Sequence, residues 1–275
     1  MADADLDGGP LGHATGYPDR YDPSQLFTVP RAPQRTALGL GATLPFAGSD
    51  LWTAYELTWL GRLGKPEIAI ATIEVPASSP SIIESKSMKL YLGSFAQSSF
   101  DDAGRVVSTI ERDLAAAIGA PIRVRLIGAE AFAMERIDAL DGESVDSLPV
   151  AITAYEVDAA TLLAGSEVVD EALTTNLFRS VCPITGQPDI ASMRIAYRGG
   201  RIDRAGLLRY LVSYRRHPGF HEQCVERIFV DILSRCRCER LTVYARFTRR
   251  GGIDINPFRT NIGITTPANV RTARQ

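Results

Sequence analysis

One local pattern occurs twice in this chain. Tyr91-Leu92-x-Ser94-Phe95 is followed by Phe100-Asp101-Asp102, and Tyr210-Leu211-x-Ser213-Tyr214 by Phe220-His221-Glu222. Each Phe opens a helical stretch, and each stretch leads into an alternating one. In the first copy Ala103, Val106, Val107, Ile110, Leu114 and Ala117 recur at helical spacing over 101–118. Gly119 and Pro121 stop that helix, and 122–128 (IRVRLIG) alternates as a half-buried strand does. In the second copy 203–214 and 220–235 read as helices and 240–248 (RLTVYARFT) as a strand. Further strands are expected at 54–61, 67–75, 176–182 and 190–198, and a short helix at 86–96. Chance likeness between two amphipathic helices competes with duplication, but duplication also explains the order of elements. Strands grouped before and after helices predict the α+β class, with antiparallel sheets and helices packed on one face. The expected organisation is a polar, loosely docked or disordered extension at 1–25, a module at 26–137, a linker at 138–170 and a second module at 171–275.

The 275 residues are 45% hydrophobic and 23% charged, which excludes disordered, collagenous and fibrous proteins. No apolar run approaches the roughly 18 residues of a membrane helix. The acidic N-terminus lacks a signal-peptide layout, and four cysteines are too few for a disulfide scaffold. A soluble cytoplasmic protein with free thiols is expected, binding neither membrane nor nucleic acid directly. Charge is uneven: residues 194–275 hold 17 Lys/Arg against 6 Asp/Glu, and residues 1–193 hold 13 against 26. A basic half attracts anions such as nucleotide phosphates, unless the two halves simply complement each other. Only Lys65, Lys86 and Lys89 are lysines, and two of them share one four-residue span.

That span lies in Glu84-Ser-Lys-Ser-Met-Lys-Leu-Tyr-Leu-Gly-Ser-Phe95, which opens a helix. Carboxylates and hydroxyls there cap free N–H groups. A helix start with two lysines also suits a phosphate. A second segment is Val181-Cys-Pro-Ile-Thr-Gly-Gln-Pro-Asp189. Cys182 is either a small buried hydrophobe or, at an exposed turn with Asp189 returning beside it, a nucleophile with a proton donor or acceptor. The third is His217-Pro-Gly-Phe-His221-Glu222. His221 is in phase with Val225, Ile228 and Ile232 and so reads as core-facing. Glu222 at a helix start is favoured as an anion that accepts from N–H donors of a guanine-like edge. His217, His221, Cys224, Cys236 and Cys238 raise the question of zinc, but Cys-x-Cys is not a usual zinc spacing. Gly39-Leu-Gly41 lacks the third glycine and the setting of a dinucleotide fingerprint.

Together the segments resemble the NADPH-dependent nitrile reductases of queuosine biosynthesis, the 7-cyano-7-deazaguanine reductase family, in its long two-module form. The resemblance covers most of 26–275 and rests on Glu84–Phe95, Cys182–Asp189, Gly219–Glu222 and Arg249–Pro257 (RRGGIDINP). It implies two tandem tunnelling-fold modules and a four-electron reduction of a nitrile to an aminomethyl group with two NADPH. It implies that Cys182 forms a covalent thioimide and that Asp189 handles protons. Ile83, Glu84, Ser85, His221 and Glu222 would contact the deazapurine, and Ser85, Lys86, Arg250 and Gly251 the NADPH, with no metal. It implies a homodimer or higher symmetric homo-oligomer whose modules meet at the active site. The rival readings are a zinc-dependent purine or pterin hydrolase of the same fold and a non-catalytic deazapurine-binding module.

Overall fold

A computed structural model describes residues 9–10, 16–263 and 266–275. The chain forms two compact units. Unit 1 comprises Met1–Ala37, Leu51–Glu135 and Arg249–Asp254; unit 2 comprises Leu38–Asp50, Arg136–Thr248 and Ile255–Gln275.

In unit 1, β1 (Thr28–Pro30) precedes the short helix α1 (Ala32–Ala37), and the long strands β2 (Ala47–Leu60) and β3 (Pro66–Pro76) follow. β4 (Ser81–Ile83) pairs antiparallel with β1, Ile83 opposite Thr28. It delivers the chain into α2 (Ser85–Gly93); then come α3 (Ala103–Ile118) and β5 (Arg123–Gly128). The strand order is β5-β3-β2, and β5 is antiparallel to β3. The Asp102 carboxylate accepts from Arg105 N at 2.8 Å to start α3, and Gly119, at φ 72°, ends it. Between these caps Val106, Ile110 and Leu114 are fully buried, as their spacing requires.

In unit 2, the two-residue β6 (Glu143–Ser144) pairs parallel with β7 (Ala164–Val181). β8 (Pro188–Ile202) runs antiparallel to β7. The helices α4 (Arg204–Ser213) and α5 (His221–Cys236) lead to β9 (Arg240–Phe247) and β10 (Ile253–Thr260). The strand order is β10-β9-β8-β7-β6. Asp203 caps α4, accepting from Ala205 N and Gly206 N. The inward face of α5 buries Val225, Ile228, Phe229 and Ile232.

The repeated sequence pattern marks equivalent positions. In unit 1, Tyr91 of α2 donates to Asp113 of α3 at 2.8 Å; in unit 2, Tyr210 of α4 donates to Asp231 of α5 at 2.6 Å. Ser94 and Ser213 each return a hydroxyl to the carbonyl of that tyrosine at 2.6 Å. Tyr91 meets Phe95 edge-on at 5.3 Å, and Tyr210 meets Tyr214 edge-on at 5.5 Å. Each unit joins its two helices by the same clasp, which chance likeness of two helices does not produce.

Three expectations need correction. β7 begins at Ala164, twelve residues before the expected strand and inside the expected linker. Its first half is mostly exposed, so no apolar alternation marks it. β10 was not anticipated as a strand. The N-terminal stretch is tied down from Asp19 on: Gln97 N donates to Asp19 O at 2.7 Å, Asp22 N to Ser94 Oγ at 3.0 Å and Tyr21 OH to Asp113 at 2.7 Å. Residues 1–8 and 11–15, part of that expectation, lie outside the described residues.

Candidate active site

In unit 2 the ladder between β7 and β8 carries the first two groups. Ser180 is opposite Asp189 and Val181 opposite Pro188, and Cys182 N continues the ladder to Gln187 O at 2.8 Å. Side chains two apart on a strand share a face, so Cys182 and Asp189 are diagonal neighbours on one face. The tight turn between them closes with Gly186 N on Cys182 O at 3.0 Å.

The loop before α5 packs along the end of β7. Val181 N donates to His217 O at 3.0 Å, and Gly219 N to Val181 O at 3.1 Å. Gly219 fits because it lacks a side chain: a Cβ there would stand 3.2 Å from Cys224 Sγ. Cys182, the next residue past the end of β7, is buried, at 7% exposure, where an exposed turn was expected. The loop sets the start of α5 beside the ladder. His221 Nε2 lies 2.9 Å from Asp189 Oδ1, and the imidazole stacks on Phe247 at 3.8 Å between centroids and 11° between planes. His221 Nδ1 is buried without a hydrogen-bond partner among the described residues. Glu222, in the first turn of α5, is buried, and the helix start favours its anion.

Burial disfavours the thiolate at three of the cysteines. Burial pushes the Cys224 thiol up to about 12, and the nearby carboxylates of Asp189 and Glu222 push the same way. Burial raises Cys236 to about 11 and Cys238 to about 12. A thiol so held is a poor nucleophile at neutral pH. Cys182 is the candidate by position, diagonal to Asp189 on the β7–β8 ladder. His217, expected only as a metal rival, is held below the usual imidazole range by burial and by the Arg227 charge. Cys236 lies about 22 Å along α5 from His221 at 1.5 Å per residue, too far to share an ion. Among the described residues, no three His, Cys, Asp or Glu side chains are grouped to hold a metal.

Unit 1 carries the other expected residues. Ile83 ends β4 and is buried. Glu84 is the N-cap of α2, accepting from Lys86 N at 2.6 Å and Ser87 N at 2.8 Å. Its burial raises its pKa against the pull of these bonds. The capping reading of this segment is therefore realised in the structure. Ser85 Oγ donates to Glu84 at 3.3 Å, and Lys86 Nζ to the Pro10 carbonyl at 2.9 Å. Arg250 and Gly251 lie in a tight turn closed by Arg250 N on Ile253 O at 2.8 Å, with Gly251 at φ 55° and Gly252 at φ 78°. That turn rests against α2: a Cβ on Gly251 would lie 3.8 Å from the Lys89 side chain. Lys89 pairs with Glu56. The Arg249 guanidinium lies over the Tyr55 ring at 5.3 Å. Lysines, arginines and a turn bare of side chains suit a phosphate-bearing ligand.

Sequence reasoning missed Lys89 as a neighbour of the glycine turn, although its place in the lysine pair was the signal. It also missed Phe247, which the alternation of 240–248 left looking like an ordinary core residue.

The family described as "Nitrile reductase, 7-cyano-7-deazaguanine-reductase N-term" matches residues 17–126, and "QueF-like protein" matches 188–264. A relative from Burkholderia pseudomallei (strain 1106a), the "NADPH-dependent 7-cyano-7-deazaguanine reductase", is 57% identical over 268 residues, 97% of this chain and 98% of its own. Its counterpart from Burkholderia mallei (strain SAVP1) is 56% identical over the same span. The chain belongs to the NADPH-dependent 7-cyano-7-deazaguanine reductase family. Membership in this reductase family decides against a zinc hydrolase and against a module that binds without reacting. Among solved structures, the apo archaeosine synthase QueF-Like aligns with 36% of this chain and 96% of its own, at 16% identity and a TM-score of 0.31. No helix among the described residues of this family member is long and apolar enough to cross a membrane.

Proposed function

We infer that this chain is an oxidoreductase that reduces the nitrile of 7-cyano-7-deazaguanine to an aminomethyl group, with NADPH as the reductant, in queuosine biosynthesis. The observation that carries the reading is near-full-length identity of 57% to a reductase of that name. The cluster of Cys182, Asp189, His221 and Glu222 supports it with the groups such a reaction needs.

A nitrile carbon is a modest electrophile, and a thiolate is the strongest nucleophile a protein offers near neutral pH. In the proposed course the Cys182 sulfur bonds to the nitrile carbon, one C–N π bond opens, and a proton reaches the nitrogen. The product is a thioimide on Cys182. Asp189, hydrogen-bonded to His221, is the proposed proton donor, since the pair can share a proton and pass it on. Glu222 accepts from the ring N–H and the exocyclic amino group of the deazapurine. Ile83, Glu84 and Ser85 add substrate contacts. NADPH, when bound, supplies the two hydrides that a four-electron reduction needs. Ser85, Lys86, Arg250 and Gly251 are the residues proposed to hold it, the cations on its phosphates and the glycine where backbone must approach. Burial of the cluster keeps water from a C=N intermediate. The working form is proposed to be a soluble, cytoplasmic, symmetric homo-oligomer.

The test is intact-mass measurement after adding the nitrile without NADPH. One substrate mass per chain is expected on wild type and none on Cys182→Ala. An adduct that persists in Cys182→Ala, or maps to Cys224, Cys236 or Cys238, contradicts the assignment.

A further inference from the structure

We propose that Phe247 is a positioning residue that sets the orientation of His221. The proposal rests on the placement of His221 in the site argued above. Two contacts hold the imidazole, and they are of different kinds. Asp189 takes its Nε2 edge at 2.9 Å, and Phe247 takes its face, 3.8 Å away and within 11° of parallel. A single hydrogen bond leaves the ring free to turn about that bond. A face contact fixes the plane but leaves both nitrogen edges open. Together they leave one orientation, with Nδ1 as the edge still to be used, and Nδ1 is the buried atom without a partner among the described residues. A buried polar atom in that condition awaits a ligand or a water.

The two clamping groups are themselves fixed relative to each other. Asp189 is the second residue of β8, and Phe247 ends β9 opposite Ala191, two residues further along β8. Thr248 N donates to Ile190 O at 2.8 Å just past the ring. Phe178 packs edge-on against Phe247 at 5.9 Å and 90°, and Phe247 is fully buried. Gln275 Nε2 donates to the Phe247 carbonyl at 2.8 Å and to Asn256 Oδ1 at 2.7 Å, holding that strand end from a second direction. Such reinforcement is what a group of fixed geometry requires.

A double-mutant cycle with Phe247→Leu and His221→Ala tests this, reading kcat and KM for nitrile and NADPH separately. Phe247→Leu keeps apolar bulk but loses the flat face. It is expected to lower kcat/KM for the nitrile about 10-fold or more, in line with the cost of misplacing a reacting-site group. NADPH affinity should stay within about 3-fold. Phe247→Tyr, which keeps the face, should restore most of the loss. In the His221→Ala background Phe247→Leu should cost nothing further. Equal losses in both backgrounds would make Phe247 a core residue only and overturn the proposal; so would a fully active Phe247→Leu. Full turnover by His221→Ala would instead remove His221 from the site, a separate failure that takes the proposal with it. Should Phe247→Leu not fold at the assay temperature, Phe247→Met, closer in volume, carries the same cycle.

Discussion

At the scale of single residues, the site depends on how burial treats each ionisable group. Cys224, Cys236 and Cys238 are held as thiols by burial, and the choice of Cys182 rests on its place beside Asp189 on the β7–β8 ladder. Glu222 is the residue whose substitution reads recognition most cleanly. Glutamine keeps its shape but turns one acceptor into a donor facing a donor. Glu222→Gln should lose at least about 2 kcal/mol of nitrile binding, counting the weaker bond and the unpaired donor. The fold should lose only about 0.3–1 kcal/mol from the helix start. Calorimetric titration in a Cys182→Ala background, which removes covalent capture, measures it; equal affinities would reduce Glu222 to a helix-start charge. The sequence could place Cys182 near Asp189 across a short turn and His221 beside Glu222 at a helix start; only the family resemblance joined the two pairs. The sequence could not show that the loop from His217 to Gly219 pairs with Val181, because that contact is tertiary.

The secondary-structure elements were legible where burial follows a period, and illegible where it does not. α3 and α5 bury one stripe each, and the caps of α3 are written in Asp102 and Gly119. β10 hid because all eight of its residues are buried, among them Asp254, Asn256 and Arg259, which no apolar pattern reveals. Within unit 1 Asp254 accepts from Tyr55 OH at 2.6 Å, and within unit 2 Arg259 bridges Asp50 and Glu226, each at 2.8 Å. Buried charges are tolerated when paired and hydrogen-bonded, and those partners lie far away in sequence. The repeated clasp between helices invites a comparison. Removing the Tyr91 hydroxyl leaves Asp113 with Tyr21 and Arg112. Removing the Tyr210 hydroxyl leaves Asp231 with Arg227 at 3.6 Å and leaves Tyr214 without its hydroxyl neighbour. Urea denaturation should therefore show Tyr91→Phe costing about 1 kcal/mol and Tyr210→Phe about 2 kcal/mol. The reverse order would mean that the two clasps do not carry load as their partners indicate.

For the molecule as a whole, the buried thiols make stability fall in alkali. In the unfolded chain cysteines lose their proton near 9, whereas Cys224, Cys236 and Cys238 hold theirs to about 12, 11 and 12. Folded-state values above unfolded ones mean that this stability is complete below pH 9 and is lost as pH rises toward 11 and 12. The slope is roughly 1.4 kcal/mol per pH unit for each thiol protonated only in the folded state. The buried tyrosines Tyr210 and Tyr214, also raised by burial, steepen it above pH 10. Urea midpoints between pH 8 and 10.5 should drop accordingly, and Cys238→Ala should shed about one proton's worth of the slope; a flat profile would contradict the burial argument. The halves of the sequence announced a duplicated α+β architecture through their repeated Tyr-Leu-x-Ser pattern, but the uneven charge left two readings open, attraction of an anion and complementarity between the halves. The central claim concerns chemistry, and counting electrons tests it most directly. Following NADPH absorbance against a limiting, known amount of 7-cyano-7-deazaguanine should show two NADPH oxidised per nitrile consumed, with the aminomethyl compound as the sole product. One NADPH per nitrile, or consumption of neither, would contradict it.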